Sequence, residues 1–191
     1  GGHDIIRGGA GGDAITGGLG NDSMQGGNGD DAFFWAWGDG IDTMNGGGDF
    51  DTLHGAGSAA DNVLRAVWDG TILAGALNAA LIGLEAVHVD MLGGSDTIIY
   101  TTSTGVSIDL GAGAATGFAS IAGIEHAIGG DANDTLVGDG GVNQLLGLGG
   151  ADTLNGAGGA DILQGGEGND TLTGGLGNDS MQGRQIGRAH V

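Results

Sequence analysis

A single apolar side chain recurs every nine residues in two stretches of this chain, with one two-residue insertion in the first stretch. Because side chains alternate between the two faces of a strand, each of these residues is expected to lie in the middle of a short strand and to point into a core. The apolar positions are Ile6, Ile15, Met24, Phe33, Met44 and Leu53 in the first stretch, and Leu136, Leu145, Leu154, Leu163, Leu172 and Met181 in the second.

Aspartate stands two positions before each apolar residue except Leu145, where Asn143 replaces it, and a glycine usually stands two positions before that. The glycine supplies the positive φ that a tight turn requires. Each unit is therefore predicted to be a six-residue turn followed by a three-residue strand. If two units make one turn of a coil, residues eighteen apart stack, for example Asp4 with Asp22 and Asp134 with Asp152.

The most regular units are residues 17–25 (GGLGNDSMQ) and 165–173 (GGEGNDTLT). This nonapeptide resembles the RTX, or haemolysin-type calcium-binding, repeat. The resemblance implies an all-β fold, a parallel β-roll or β-helix solenoid of glycine-rich nonapeptides, with a degenerate β segment between two repeat arrays. The predicted domains are an N-terminal RTX β-roll at residues 1–54, a degenerate β-solenoid segment at 55–128 and a C-terminal RTX β-roll at 129–183.

Stacked carboxylates on neighbouring coils, about 4.8 Å apart as in any sheet, need a cation between them. Carboxylate and carbonyl oxygens form a site that suits Ca²⁺, and the resemblance implies that the aspartates and glycine carbonyls hold this ion. Asn143 lacks the charge and is expected to give a weaker or empty site. Asp96 lies in a shortened repeat and is a doubtful ligand. The alternative role for all these aspartates is the capping of turns. The predicted calcium ligands are Asp4, Asp13, Asp22, Asp31, Asp42, Asp51, Asp134, Asp152, Asp161, Asp170 and Asp179.

Composition makes the ion a condition of folding. The 191 residues include 48 Gly and no Pro or Cys, and 24 Asp and Glu against 4 Lys and Arg give a net charge of −20. Such a chain repels itself, and ordering so much glycine costs more entropy than a few apolar side chains offset. We therefore expect disorder in chelator and folding in calcium. The scarcity of basic residues argues against nucleic-acid binding, and the longest apolar stretch, residues 71–92, contains Asn78, Glu85 and Asp90 and is no membrane span.

Several segments depart from the repeat. Residues 33–40 concentrate bulky apolar side chains, which favours a local core over a functional patch. Residues 97–100 and 106–110 alternate like strands, whereas residues 74–84 could form a short helix instead. Five histidines lack metal-ligand spacing and are expected to be surface or strand residues, and no catalytic residue is predicted. The chain starts without Met in mid-pattern, and residues 184–191 resemble a translated sequencing adapter.

The sequence predicts a calcium-binding structural and secretion module of a larger secreted bacterial protein. The resemblance implies export by type I secretion machinery and folding on Ca²⁺ outside the cell, with a possible contact to a cell or host surface. The alternative is the C-terminal part of an RTX enzyme, such as a protease, lipase or polysaccharide-modifying enzyme, whose catalytic domain lies outside this sequence. An adhesin or ice-binding solenoid ranks lower, because the threonines are irregular along the chain.

Overall fold

The computed structural model describes residues 1–40, 42–58 and 86–183 with their side chains, and the strand backbones Val63–Trp68, Leu73–Ala74 and Ala80–Ile82. Within these ranges all regular structure is β, and no helix is present that could cross a membrane. The strands are β1 (Ile5–Ala10), β2 (Ala14–Thr16), β3 (Ser23–Asn28), β4 (Ala32–Ala36), β5 (Thr43–Gly48), β6 (Thr52–Ala56), β7 (Val63–Trp68), β8 (Leu73–Ala74), β9 (Ala80–Ile82), β10 (Ala86–Asp90), β11 (Thr97–Tyr100), β12 (Ser107–Asp109), β13 (Ala114–Ala115), β14 (Ser120–Ala122), β15 (His126–Ile128), β16 (Thr135–Val137), β17 (Gln144–Gly149), β18 (Thr153–Asn155), β19 (Ile162–Glu167), β20 (Thr171–Thr173) and β21 (Ser180–Gln182).

The described strands form four sheets whose members come from successive coils. The first sheet has the order β1-β3-β5-β9 and the second β2-β4-β6-β10-β14. The third has the order β8-β7-β11-β15-β17-β19-β21 and the fourth β13-β12-β16-β18-β20. Pairing is parallel throughout except at β7–β8 and β12–β13. The predicted fold class, a parallel β-solenoid, is confirmed.

The two repeats of one coil lie on opposite sheets, as the stacking hypothesis requires. Ile5 of β1 pairs with Ser23 of β3, and Ala14 of β2 pairs with Ala32 of β4. The coil that contains the insertion is longer, with a separation of 20 residues between Asp22 and Asp42. A turn absorbs the extra length, because the Ala36 N–H donates to Asp39 Oδ2 over 2.8 Å.

The solenoid continues through the degenerate segment with longer coils. Stacked positions there are separated by 28, 29 and 32 residues, yet β10, β12 and β15 pair in parallel register with strands of the flanking arrays. Within the segment, β11 pairs in parallel with β7 and β15. The predicted strands at 97–100 and 106–110 are present as Thr97–Tyr100 and Ser107–Asp109. The alternative of a helix over 74–84 is wrong at Ala80–Ile82, which forms β9 against β5. Residues 75–79 and 83–84 of that proposal lie outside the described residues, as do 184–191.

The core contains the row of apolar side chains that the nine-residue spacing predicted. Leu53, Leu136, Leu145, Leu154 and Leu163 are fully buried, with Ile15, Met24, Phe33 and Met44 in the same cluster. Ile6 and Leu172 are only partly buried, and Met181 is 53% exposed. These three belong to β1, β20 and β21, each at the end of its sheet, where one neighbouring coil is missing from the packing.

The turns depend on glycine where coils approach each other closely. Gly20 has a φ of 138°, and a Cβ built on it would overlap the backbone carbonyl of Gly2 on the previous coil. At the corresponding position of the sixth unit Asp49 replaces glycine and still has a φ of 80°. The turn conformation is therefore retained even where the preferred residue is lost.

Candidate metal centre

The site aspartates stack in columns that follow the coil. The main-chain N–H of one aspartate donates to Oδ1 of the aspartate on the next coil, for example Asp134 to Asp152 over 2.8 Å. This hydrogen bond occupies Oδ1 and fixes the rotamer of the carboxylate. The same bond links Asp4 to Asp22, Asp13 to Asp31, Asp22 to Asp42, Asp31 to Asp51, Asp152 to Asp170, and Asp161 to Asp179.

The second carboxylate oxygen has a different environment. It is buried and has no hydrogen-bond donor in six aspartates, although burial of a polar atom without a partner is costly. The six oxygens are Oδ2 of Asp13, Asp22, Asp31, Asp152, Asp161 and Asp170.

A glycine of the same repeat and a carbonyl oxygen from the next coil complete the surroundings of four of these atoms, Oδ2 of Asp13, Asp31, Asp152 and Asp161. A Cβ built on Gly8 would lie 2.5 Å from Asp13 Oδ2 and 2.8 Å from the Gly26 carbonyl oxygen. The carboxylate oxygen and the carbonyl oxygen thus converge on one small space that is open only because residue 8 lacks a side chain. Equivalent spaces lie at Gly26, Gly147 and Gly156.

Burial makes the charged form of these carboxylates unfavourable. The pKa of Asp152 is raised to about 6, chiefly by desolvation; the hydrogen bond from the Asp134 N–H opposes this rise, and the charges of Asp134 and Asp170 add to it. Burial also raises the pKa of Asp42 and Asp134. A cation beside these carboxylates would remove the penalty, since an opposite charge favours the ionised form.

Asn143 occupies an aspartate position but fills the space differently. Its Nδ2 donates to the Glu125 carbonyl oxygen over 3.0 Å and to Asp139 Oδ1 over 3.1 Å. Its Oδ1 accepts the Asp139 N–H over 2.8 Å. The amide therefore has its own hydrogen-bond partners and brings no charge to the site. The weaker or empty site expected at Asn143 stays a prediction.

The sequence analysis did not place Glu125 in the stacked columns. Its Oε2 accepts the Asp96 N–H over 2.8 Å, which is the role of Oδ1 in the aspartate columns. The signal was available, because Ala127 follows Glu125 by two residues and is fully buried, as Ile98 is after Asp96. The irregular coil length hid the register. Asp96 itself is fully buried and lies on the coil before Glu125.

The predicted ligands differ in their burial, and Asp4 at the first coil is exposed. In the part of the chain that the structure describes, no group of three or more Asp, Glu, His or Cys side chains gathers closely enough to hold a metal ion. A cation in these columns would therefore depend on backbone carbonyls as much as on carboxylates, rather than on two aspartates that both face one ion.

This donor set fits calcium. Every converging atom is oxygen, and glycine turns give irregular positions that a flexible coordination sphere tolerates. Mg²⁺ requires near-ideal octahedral geometry and retains its water, so it suits these spaces less well. The buried Oδ2 atoms and the glycine spaces beside them define the class of the protein, a parallel β-solenoid with oxygen-lined spaces between its coils that fit a cation.

The model of one family matches this chain in four copies, over residues 1–33, 38–64, 122–154 and 155–185. The chain belongs to the RTX calcium-binding nonapeptide repeat family. It is thus a calcium-binding repeat module, and the family is typical of secreted proteins. Comparison with curated proteins gave no match.

Proposed function

We propose that this chain is a calcium-dependent structural and secretion module of a larger secreted bacterial protein, and is not itself an enzyme. The chain is unfolded where calcium is scarce, passes through type I secretion machinery in that state and folds outside the cell. The single observation that carries this proposal is the row of buried Oδ2 atoms without donors, because a fold that buries them needs a counter-ion.

The ions would bind at the eleven predicted aspartates, which lie in the two regular arrays at 1–54 and 129–183. Between the arrays the coils are longer, and other residues stand at most of the column positions that aspartate occupies in the arrays. Val106, for example, occupies the position that stacks on Asp134. The segment 55–128 is therefore expected to fold on the two arrays rather than by its own calcium.

Limited proteolysis of the full chain tests this function directly. At submicromolar calcium, as in a cytosol, we expect rapid cleavage throughout the chain, because its cleavage sites are exposed when it is unfolded. At millimolar calcium the arrays should resist, since extracellular calcium modules bind at about 10⁻⁴–10⁻³ M. Equal resistance under both conditions would contradict a secretion role based on calcium.

One observation favours a second candidate function, a surface that binds an ordered lattice such as ice. Two repeats make a coil, so threonines that look irregular along the chain align on the fourth sheet. Ser107, Thr135, Thr153 and Thr171 pair in register and are all exposed. Such a row presents hydroxyl groups about 4.8 Å apart.

Inhibition of ice recrystallisation would test this second function. Thr153→Leu disrupts the hydroxyl row, and Gln144→Leu makes the same change on the opposite sheet as a control. Loss of inhibition with Thr153→Leu alone would support the lattice-binding face. Absence of inhibition in the unsubstituted protein would exclude ice as its partner.

A further inference from the structure

Two histidines that are far apart in the sequence stack on the outer face of the second sheet. His54 of β6 pairs in register with His88 of β10, and their ring centroids lie 5.1 Å apart at an interplanar angle of 9°. Phe34 of β4 stacks on the other side of His54, with centroids 5.3 Å apart. The three rings form a row along the coil direction, and we call Phe34, His54 and His88 the aromatic row.

The row turns ring edges, not ring faces, toward the surroundings. Because the rings stack face to face along the coil direction, their edges and not their faces are presented at the surface of the sheet. His54 is exposed and His88 is half-buried. Phe34, at 43% exposure, shields one face of His54.

Ser120 fixes the orientation of His88. Its Oγ lies 2.8 Å from His88 Nδ1, on the next strand of the same sheet. A hydrogen bond at one ring nitrogen determines which nitrogen is left for a metal. In His88 that nitrogen is Nε2.

We propose that His54 and His88 bind one divalent transition-metal ion, such as Zn²⁺, at a site separate from the calcium columns. Neutral imidazole nitrogen suits Zn²⁺, Cu²⁺ and Ni²⁺, whereas calcium selects oxygen, so the two kinds of site differ in the ion they accept. Two imidazoles fill half of a tetrahedral sphere, and water completes it.

Binding of one ion by both histidines requires a change in the angle between the two rings. In a tetrahedral site, Zn–N bonds of about 2.1 Å place the two nitrogens about 3.4 Å apart. The rings, whose centroids lie 5.1 Å apart, must therefore tilt their nitrogen-bearing edges toward each other. His54, which is exposed, can supply most of this movement without a change in the backbone register. Phe34 then remains in contact with the outer face of His54.

His126 provides the matched control. Its Nε2 lies 2.7 Å from Ser95 Oγ, and its Nδ1 accepts the Gln144 N–H over 3.0 Å. Both nitrogens are engaged within the fold, and the ring lies on the third sheet. His126 is therefore expected to contribute nothing to zinc binding.

Calorimetric titration of the full chain with ZnCl₂ in saturating calcium tests the proposal. The unsubstituted protein should bind zinc in addition to calcium, and His54→Phe and His88→Phe should each weaken this binding by at least about tenfold, while His126→Phe leaves it unchanged. Phenylalanine preserves the aromatic row, as Phe34 shows. Ser120→Ala should weaken binding by about 10-fold through loss of ring orientation. No zinc binding in saturating calcium, or equal affinity in His54→Phe, would overturn the proposal.

A measurement on the unsubstituted chain covers the case in which a variant fails to fold. Substoichiometric Ni²⁺ should broaden the imidazole nuclear magnetic resonance signals of His54 and His88 first. Broadening that begins at His3 or His126, or no selective broadening, would show that the stacked pair is not the site.

Discussion

The main-chain N–H of Asp134 donates to Oδ1 of Asp152 over 2.8 Å, while Oδ2 of Asp152 is buried without a donor. The two oxygens of one carboxylate therefore have different roles. Oδ1 holds the register between coils, and Oδ2 is left for an ion. Because the hydrogen bond fixes the carboxylate before any ion arrives, the site needs little rearrangement, which favours binding.

Asp152→Asn should remove one ion site and leave the stacking intact. A site held at a calcium concentration of about 100 times its dissociation constant contributes about 2.7 kcal/mol to folding. We expect the free energy of unfolding in saturating calcium to fall by about that amount, measured by urea denaturation. Asp131→Asn changes an exposed loop aspartate outside the columns and should have little effect. A fall of equal size in both variants would assign the effect to net charge.

The reverse substitution, Asn143→Asp, should create a site. The new carboxylate would face the Glu125 carbonyl oxygen and Asp139 Oδ1, which now accept hydrogen bonds from the amide. These oxygens repel a carboxylate unless a cation lies between them. The variant should bind one calcium more than the unsubstituted chain in equilibrium dialysis. Unchanged stoichiometry would mean that the aspartate column does not determine where ions bind.

Gly147→Ala should disrupt a cation position without removing a ligand. A Cβ at residue 147 would overlap Asp152 Oδ2 and lie 2.5 Å from the Gly165 carbonyl oxygen. Overpacking of this kind costs about 1–3 kcal/mol, and calcium affinity should fall as well. The control is Gly140→Ala, whose Cβ meets nothing within 4 Å. Equal denaturation midpoints and calcium affinities for the two variants would contradict the role given to these glycines.

Acid should partly replace calcium. The pKa of Asp152 is raised from 3.8 to about 6 in the ion-free fold, so protonation stabilises that fold. The stabilisation is complete below the unfolded value of 3.8 and is lost as the pH rises through about 6. In calcium-free buffer we expect the β signal in circular dichroism to increase as the pH falls from 7 to 4.

Calcium-loaded protein should respond to acid in the opposite sense, because protons compete with the ion for the carboxylates. At a limiting calcium concentration, acidification from pH 7 to 5 should release calcium, as an ion-selective electrode would record. If the calcium-free chain shows no gain of β structure on acidification, the burial of uncharged carboxylates is not what limits its folding.

The regular arrays could be predicted from the sequence because their two signals reinforce each other. The spacing of Asp152, Asp161 and Asp170 fixes the turn, and Leu154 and Leu163 fix the core face of the strands. A shift of one residue would expose the core, so the register has one solution. The two-units-per-coil hypothesis then followed, and the paired strands confirm it.

The degenerate segment could be predicted only in outline. Its strands keep the alternation of apolar and polar residues. Stacked positions, however, are separated by 28 to 32 residues, and these unequal separations give no period from which to find stacked partners. Glu125 and the His54–His88 pair were therefore missed, since their neighbours depend on coil length and not on local pattern. The asymmetric environment of the two carboxylate oxygens was also beyond sequence reasoning, because it depends on the distance between coils.

A calcium titration of the full chain, followed by far-ultraviolet circular dichroism, tests the central claim most directly. Magnesium at the same concentrations serves as the control, because the oxygen-lined positions suit the larger ion. We expect a disordered spectrum in chelator and a cooperative gain of β signal with calcium but not with magnesium. A β spectrum that persists in excess chelator would show that the aspartates cap turns and that the fold does not depend on an ion.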